Sequence, residues 1–231
     1  LDELKIVQIT DLPIGLLHQD QAWLHRVVDP LNKLDADLVV LTGDLVEGSL
    51  KTVQPMLEPL SQVKSKFGNL FVMGNHEFIH GGMIWEKTVQ DLGWKTLYNS
   101  NMSFEFNGKK ILVGGVPDRM VRRFEPTLVS DPDLALTTKE KVNYKILLAH
   151  EPASVLDLRK ELPDLILSGH THGGQIFPFG FLVRLVQPLV KDWGIINGIK
   201  VFAHPGTGLW GPPMRLGTEN KIVAIEFGSE I

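Results

Sequence analysis

Short apolar runs that each end at a polar residue form the main pattern along this chain. Runs of four or five apolar residues bounded by turn formers are typical of buried β-strands. Five such runs lie just before an aspartate, an asparagine or a histidine. The runs are residues 6–10, 38–41, 70–73, 146–149 and 165–168. Further strands are predicted at 200–203 and 221–227. The pair Asn107-Gly108 between segments 103–106 and 109–113 predicts a hairpin.

Helical periodicity fills most of the intervals between these strands. Helices are predicted at residues 21–34, 50–66, 82–92 and 153–162, and a further helix should open at Asp131-Pro132 and run towards Lys139. Pro30 is expected to bend or break the helix at 21–34, and Pro55 and Pro59 are expected to do the same to the helix at 50–66. The alternation of strands and helices, together with the hairpin, predicts an α/β fold of mixed sheets covered by helices. Residues 1–231 are predicted to form one domain.

Composition and charge narrow the class of protein. With 43% hydrophobic and 22% charged residues, the 231-residue chain is typical of a globular protein, not of a disordered or fibrous one. A net charge of −4 argues against binding nucleic acid through a broad basic face. The absence of cysteine excludes thiolate chemistry. The first residue is Leu1, so we expect a processed or trimmed N-terminus that a signal or membrane anchor could have preceded.

The polar residues that follow the strands predict a metal site. In open α/β sheets, ligands gather at the carboxyl ends of the strands. Carboxylate, amide oxygen and imidazole suit Mn, Fe, Zn or Mg. Taken alone, each residue is better explained as a turn, a cap or a packed histidine. Together these polar residues indicate a site for two cations. The residues are Asp11, Asp44, Asn75, His76, His150, His170 and His172.

The same residues resemble a known family. Asp11, Gly43-Asp44, the segment 74–77 (Gly-Asn-His-Glu), His150 and the segment 169–172 (Gly-His-Thr-His) are similar to motifs of the calcineurin-like metallophosphoesterases. Finer motifs after His150 and in the tail 206–215 resemble a bacterial branch that is often exported or membrane-anchored. Relatives of that branch cleave UDP-2,3-diacylglucosamine. The resemblance implies a two-sheet mixed β-sandwich flanked by helices.

The resemblance also implies a role for each motif residue. Asp44 would bridge two divalent ions, Mn, Fe or Zn. Asn75, His150 and His170 would complete one metal site, while Asp11 and His172 would serve the other. A metal-activated hydroxide would attack a phosphodiester or pyrophosphate, and His76 would assist the leaving group.

One position departs from the family pattern. The family's first motif is Asp-x-His, whereas this chain has Asp11-Leu12-Pro13, and proline offers no ligand atom. Three interpretations stay open: water fills the position and the first site is only partly occupied, His18 replaces the missing ligand, or Pro13 leaves a catalytically impaired or regulatory metal-binding domain.

The substrate class rests on less specific features. The apolar segment 176–190 either packs as a buried strand or loop, or forms an exposed lip that contacts a membrane or acyl chains. The second option predicts a lipid-linked phosphoester and an extracytoplasmic or membrane-surface location. Arg119 and His204 are candidate substrate-binding residues, although a solvated loop and a packed histidine are the ordinary alternatives. We expect no nucleic-acid partner.

Overall fold

Two β-sheets packed face to face and covered by helices form the described part of the protein. The structure, a computed structural model, describes residues 1–228, so the last three residues of the predicted domain lie outside it. The strands are β1 (Lys5–Ile9), β2 (Leu38–Leu41), β3 (Asn69–Phe71), β4 (Lys95–Thr96), β5 (Ser100–Phe106), β6 (Lys109–Gly115), β7 (Tyr144–Leu148), β8 (Leu165–Ser168), β9 (Asp192–Ile196), β10 (Ile199–Ala203) and β11 (Val223–Glu226).

Within residues 1–228, seven α-helices and three 3₁₀ segments connect these strands. The helices are α1 (Gln21–Asn32), α2 (Leu50–Val53), α3 (Asn75–Ile79), α4 (Ile84–Asp91), α5 (Val121–Phe124), α6 (Pro132–Leu136) and α7 (Gly180–Val183). The 3₁₀ segments are Gln54–Gln62, Pro152–Asp157 and His172–Gly174. No helix among residues 1–228 is both long and apolar enough to cross a membrane.

Each sheet has a parallel centre, with one antiparallel edge strand in the first sheet and two in the second. The first sheet has the order β11-β1-β2-β3-β4, in which only β11 runs antiparallel to its neighbour. The second has the order β5-β6-β7-β8-β10-β9, with β6, β7, β8 and β10 parallel. These sheets confirm the predicted α/β sandwich.

Alternating residues of the central strands supply both the inner core and the outer faces. In β2, Leu38 and Val40 pack into the layer between the sheets, whereas Val39 and Leu41 pack against the helices outside. In β7, Ile146 and Leu148 face inward and Leu147 faces the opposite helical layer. Because successive side chains point to opposite faces, a strand buried on both sides must be apolar throughout. This requirement explains the unbroken apolar runs.

The hairpin is confirmed, and several predicted helices are corrected. Phe106 pairs with Lys109 across the two-residue turn of Asn107 and Gly108. The helix predicted at 50–66 is instead one turn, α2, followed by a 3₁₀ segment, because Pro55 and Pro59 lack the N–H that a continuous α-helix needs. The helix predicted at 153–162 is a 3₁₀ segment that ends at Asp157. The helix at Asp131-Pro132 begins as predicted but ends at Leu136.

Candidate metal centre

The parallel strands deliver polar side chains to one edge of the sandwich. Asp11 and Asp44 follow β1 and β2, and His150 and His170 follow β7 and β8. The backbone there is unusual, because Asp11, Asp44 and His170 have φ values of 55°, 53° and 67°. Non-glycine residues seldom adopt this left-handed conformation, which persists only where the surrounding structure enforces it. The packed strands therefore hold these side chains in place at a local conformational cost.

A carboxylate and two imidazoles form the centre of the group. The Asp44 Oδ2 atom lies 3.1 Å from His150 Nε2, which in turn lies 3.1 Å from His170 Nδ1. His150 Nδ1 donates to the Thr42 carbonyl at 2.7 Å, so Nε2 faces the other two groups. Burial disfavours the imidazolium, but the adjacent Asp44 outweighs it and raises the pKa of His150, so a metal ion would replace the proton on Nε2. Such a hydrogen bond to a carbonyl is typical of a histidine that ligates a metal. One ligand atom from each of the three residues could reach a single ion.

A second carboxylate–imidazole pair lies beside the first group. His172 Nε2 is 3.3 Å from Asp11 Oδ1. The His170 backbone N–H donates to both Asp11 carboxylate oxygens, at 3.2 and 3.1 Å. Asp11 is fully buried. This contact joins the first sheet to the second and brings the two carboxylates into one polar cluster.

The residues present fit divalent cations. Among residues 1–228, the buried Asn75 Oδ1 and His172 Nδ1 have no hydrogen-bond partner, although such atoms are normally satisfied. Close packing of backbone against the carboxylates supports the same interpretation. A Cβ at Gly74 would lie 2.2 Å from Asp44 Oδ1, and one at Gly169 would lie 2.5 Å from Asp11 Oδ2. Only glycine leaves the carboxylates this room.

The electrostatics of the cluster keep its carboxylates ionised. Burial opposes ionisation of Asp44, but the neighbouring His150 outweighs it, so the pKa of Asp44 lies well below its ordinary value. Burial likewise opposes ionisation of Asp11, and His172 lowers the pKa of Asp11. Burial and the nearby His150 lower the pKa of His170. Anionic carboxylates beside a neutral imidazole are the forms that bind metals.

His76 lies next to this cluster and is held by a glutamate. Its backbone N–H donates to Asp44 Oδ1 at 3.0 Å, and its Nε2 lies 3.7 Å from Asp44 Oδ2. Its Nδ1 lies 2.5 Å from Glu47 Oε2. Burial disfavours the imidazolium, but Asp44 and then Glu47 favour it, and the pKa of His76 is raised. Sequence reasoning missed Glu47; its signal is a carboxylate three residues after a strand-end aspartate.

Glu77, the last residue of the Gly-Asn-His-Glu segment, has a structural position. It is fully buried, and its carboxylate accepts N–H bonds from Gly74 at 2.6 Å, Asp44 at 3.0 Å and Leu45 at 2.7 Å. Burial and the nearby Asp44 raise its pKa to about 7. Glu77 thus joins the loop after β2 to the loop after β3, which fixes the approach of Asp44 to His76.

Pro13 and Arg215 flank the Asp11–His172 pair. Pro13 is buried, and its carbonyl accepts a bond of 3.0 Å from Gln19 Nε2, while His18 is exposed. The Arg215 guanidinium donates to the carbonyls of His172 at 3.0 Å, Pro205 at 2.7 Å and Gly208 at 2.7 Å. Sequence reasoning gave Arg215 no role, although it is the only basic residue between positions 206 and 218.

Arg119 and His204 lie away from the open part of the site. The Arg119 Nε donates to Asp157 at 2.7 Å, so its charge is paired with a carboxylate. His204 is fully buried and its Nδ1 accepts from the Gly206 N–H at 2.9 Å. Burial lowers the pKa of His204 to about 3, so this ring is neutral. Substrate contact by either residue stays a prediction.

A cavity of about 980 Å³ opens from the polar cluster. Its polar end includes Asp44, Asn75, His76, His170 and His172. Its other walls are mainly apolar and include Phe177, Phe179, Phe181, Leu182, Val186, Trp210 and Pro212. Phe177 and Phe181 are 63% and 60% exposed, and none of the residues of α7 is buried. Of the two alternatives for segment 176–190, the structure therefore favours the exposed lip over the buried strand.

Comparisons with known proteins agree with this arrangement. Residues 4–174 match the family described as calcineurin-like phosphoesterase. A Helicobacter pylori J99 protein named uncharacterized metallophosphoesterase is 35% identical over 227 residues, covering 97% of this chain and 60% of that protein. A Danio rerio protein named transmembrane protein with metallophosphoesterase domain is 31% identical over 233 residues, covering 97% of this chain and 53% of that protein. This chain thus spans only about 60% or less of these relatives' length.

Solved structures share the fold at low sequence identity. The Thermus thermophilus sulfate thiohydrolase SoxB superposes with a TM-score of 0.58 at 13% identity, over 90% of this chain and 53% of that one. The Haemophilus influenzae NAD nucleotidase NadN gives a TM-score of 0.55 at 17% identity, over 87% of this chain and 50% of that one. Likeness at this level shows the fold and leaves the substrate open.

Proposed function

Because the chain belongs to the calcineurin-like phosphoesterase family, we propose that it hydrolyses a phosphodiester or pyrophosphate bond at a centre of two divalent metal ions. The observation that carries the proposal is the cluster of Asp44, His150 and His170, whose ligand atoms converge beside the polar end of a cavity. We treat residues 1–231 as one catalytic domain within this proposal.

The ligand assignment is the one that the family resemblance implies, and the contacts of the polar cluster support it. Asp44 would bridge the two ions, with Asn75, His150 and His170 completing one site. Asp11 and His172 would complete the other. When bound, Mn, Fe or Zn ions supply Lewis acidity and offset the charge that develops on phosphorus oxygens. The unpartnered Asn75 Oδ1 supports its inclusion.

His76 is assigned to the leaving group. His76 lines the cavity, its Nε2 faces Asp44, and its Nδ1 is paired with Glu47. A carboxylate on one ring nitrogen fixes the orientation of the ring and stabilises its protonated form. His76 can therefore hold a proton at Nε2 and donate it to the departing oxygen. Glu47 acts through His76 as a positioning residue.

The apolar wall supports a lipid-linked substrate. A phosphoester bound at the polar end would place its organic group against Phe177, Phe181 and Leu182. Arg184, beside this wall, would meet anionic headgroups. We accordingly propose a bacterial protein that contacts membranes through residues 176–190, at an extracytoplasmic surface. Some relatives are named transmembrane proteins with a metallophosphoesterase domain.

A second candidate function is a metal-binding domain with impaired catalysis. Pro13 favours it, because this buried residue offers no ligand to the site of Asp11 and His172. In that case metal would bind the first site weakly and turnover would be slow. The two candidates predict different responses to restoring the missing imidazole.

The test compares the chain with Pro13→His. Hydrolysis of a chromogenic phosphodiester is measured with and without added Mn²⁺. The proposed enzyme is active with Mn²⁺, and the variant is at most a few times faster. Turnover by the variant alone would favour the impaired domain. If neither protein hydrolyses any phosphoester at any Mn²⁺ concentration, the proposed activity is wrong.

A further inference from the structure

Two histidines and a glutamate form a second cluster beside the two-metal centre. Glu47 uses its two carboxylate oxygens on two different rings: Oε2 lies 2.5 Å from His76 Nδ1, and Oε1 lies 3.2 Å from His80 Nε2. One ligand atom from each of the three residues lies within 4.8 Å of the others. None of these atoms belongs to the ligands assigned above, and the His76 atom is the ring nitrogen turned away from Asp44.

The two histidines have the spacing of a zinc-binding helix. Residues 76–80 read His-Glu-Phe-Ile-His, which matches the pattern His-Glu-x-x-His. The His80 N–H donates to the His76 carbonyl at 3.0 Å, so the helical i, i+4 relation holds at the end of α3. Both rings therefore lie on one side of the helix, where Glu47 from the loop after β2 meets them.

We propose that Glu47, His76 and His80 form a third cation site that prefers Zn²⁺ over Mn²⁺ and slows hydrolysis when it is filled. Two imidazoles with one carboxylate are a known zinc ligand set that leaves a fourth position for water. Manganese and magnesium favour oxygen-rich sets instead. The side chains of Glu47 and His80 are 28% and 22% exposed, so an ion can enter from solvent.

The site is a binding site and not a peptidase centre. In a zinc peptidase with this pattern, the glutamate between the histidines acts as general base. Here Glu77 is fully buried and its carboxylate accepts N–H bonds from Gly74 and Leu45. It cannot turn towards an ion between His76 and His80 without breaking those bonds.

A cation at this site would slow hydrolysis because it would bind the His76 Nδ1 atom. Coordination through His76 Nδ1 replaces the hydrogen bond by which Glu47 orients this ring. It also adds positive charge beside the two-metal centre. The inhibitory part of the inference rests on the proposed function, in which His76 serves the leaving group. The binding part does not depend on any activity.

The experiment counts ions and measures rates on the same proteins. The full chain, His80→Asn and His25→Asn are equilibrated with excess Mn²⁺ and increasing Zn²⁺, and bound Mn plus Zn per chain is measured by mass spectrometry. His25 is a matched control, since it lies 3.9 Å from a single glutamate, Glu58, on the surface. Rates on a chromogenic phosphodiester are normalised to each protein's own rate without zinc. Thermal unfolding checks that each variant is folded, and His80→Gln repeats the test.

We expect the chain and His25→Asn to bind one more ion than His80→Asn. The zinc concentration that halves the rate should rise at least about tenfold in His80→Asn, because loss of one of three ligands weakens binding strongly. Equal ion counts in all proteins would overturn the site. A lower count with unchanged zinc inhibition would overturn its regulatory role. If the chain hydrolyses no phosphoester, the proposed function fails, and the ion count still decides the site.

Discussion

The strand ends and the apolar lip face the same cavity but are built in opposite ways. At the strand ends, Asp11 and Asp44 are buried, hold left-handed backbone angles and contact several other groups. On the lip, Phe177 and Phe181 are mostly exposed and α7 buries none of its residues. The packed strands can hold such backbone angles together with buried charge, because the surrounding structure compensates for both. The comparison teaches that the candidate metal ligands lie where the fold is most constrained, whereas the proposed substrate-contacting wall lies where it is least constrained.

The largest effect is expected when the Asp44 carboxylate, at the centre of the strand ends, is removed. Asp44→Ala should lower kcat on a phosphodiester by at least about a thousandfold, because both proposed metal sites lose a ligand. The rate is measured with Mn²⁺ beside Asp29→Ala, which alters an exposed aspartate on α1 and should remain near the parent rate. A rate for Asp44→Ala close to that of the parent would contradict the comparison, because Asp44 would then have no role in hydrolysis.

The second prediction tests whether the hydrogen bonds of Glu77 at the strand ends also stabilise the fold. Glu77→Ala leaves the N–H groups of Gly74, Asp44 and Leu45 without their buried acceptor. We expect a loss of about 3 kcal/mol in the free energy of unfolding, at the level of an unsatisfied buried polar group. Denaturant unfolding is compared with Glu105→Ala, an exposed residue of β5 that should change stability by less than about 0.5 kcal/mol. Equal losses in the two variants would contradict the structural role of Glu77.

A smaller effect is expected on the lip. Phe181→Ala removes exposed apolar area from the cavity wall, so it should leave stability almost unchanged and weaken contacts with a long alkyl chain. Burial is worth about 0.8 kcal/mol per methylene, so the ratio of kcat/KM for long-chain over short-chain phosphodiesters should fall about tenfold. Leu162→Ala, at an exposed leucine outside the cavity wall, is the matched control. An unchanged ratio would remove the lip from substrate selection.

The smallest effect concerns a carboxylate outside both regions. Partial desolvation opposes ionisation of Asp133, but backbone N–H bonds from Glu161, Lys160 and Arg159 outweigh it and lower its pKa. A lowered pKa adds stability above the unfolded value of about 3.9, and this stability is lost as pH falls through the folded value. Because the group is only partly buried and solvent weakens its interactions, Asp133→Asn should cost about 0.5 kcal/mol near neutral pH.

The measurement for Asp133 is denaturant unfolding across the acid range. The difference between the chain and Asp133→Asn should shrink as pH falls below about 4. A difference that grows with acidity would show the opposite sign and would refute the assignment. The contrast with Glu77 separates a carboxylate held by exposed backbone from one held inside the strand ends.

Local sequence predicted nine of the eleven strands in residues 1–228 and most of the candidate site, but it missed β4 and β9. Apolar runs such as 38–41 are continuous because β2 is buried on both faces, and each run stops where a turn begins. The same logic located Asp11, Asp44, His150 and His170 before any contact was known. The helix predicted at 50–66 failed because periodicity registers one apolar face without distinguishing an α-helix from a 3₁₀ segment. Assignment of the ligands stays a proposal.

The sequence by itself determined the positions of most strands along the chain, the family motifs and the presence of Pro13 where the family motif has a histidine. Only the tertiary structure decided which distant groups meet. Glu47 faces His76 and His80 across 29 and 33 residues, and Arg215 reaches the His172 carbonyl across 43. It also decided that Phe177 and Phe181 stay exposed beside the cavity. Local patterns record burial and turn chemistry, whereas these contacts depend on how two sheets pack, which no short segment encodes.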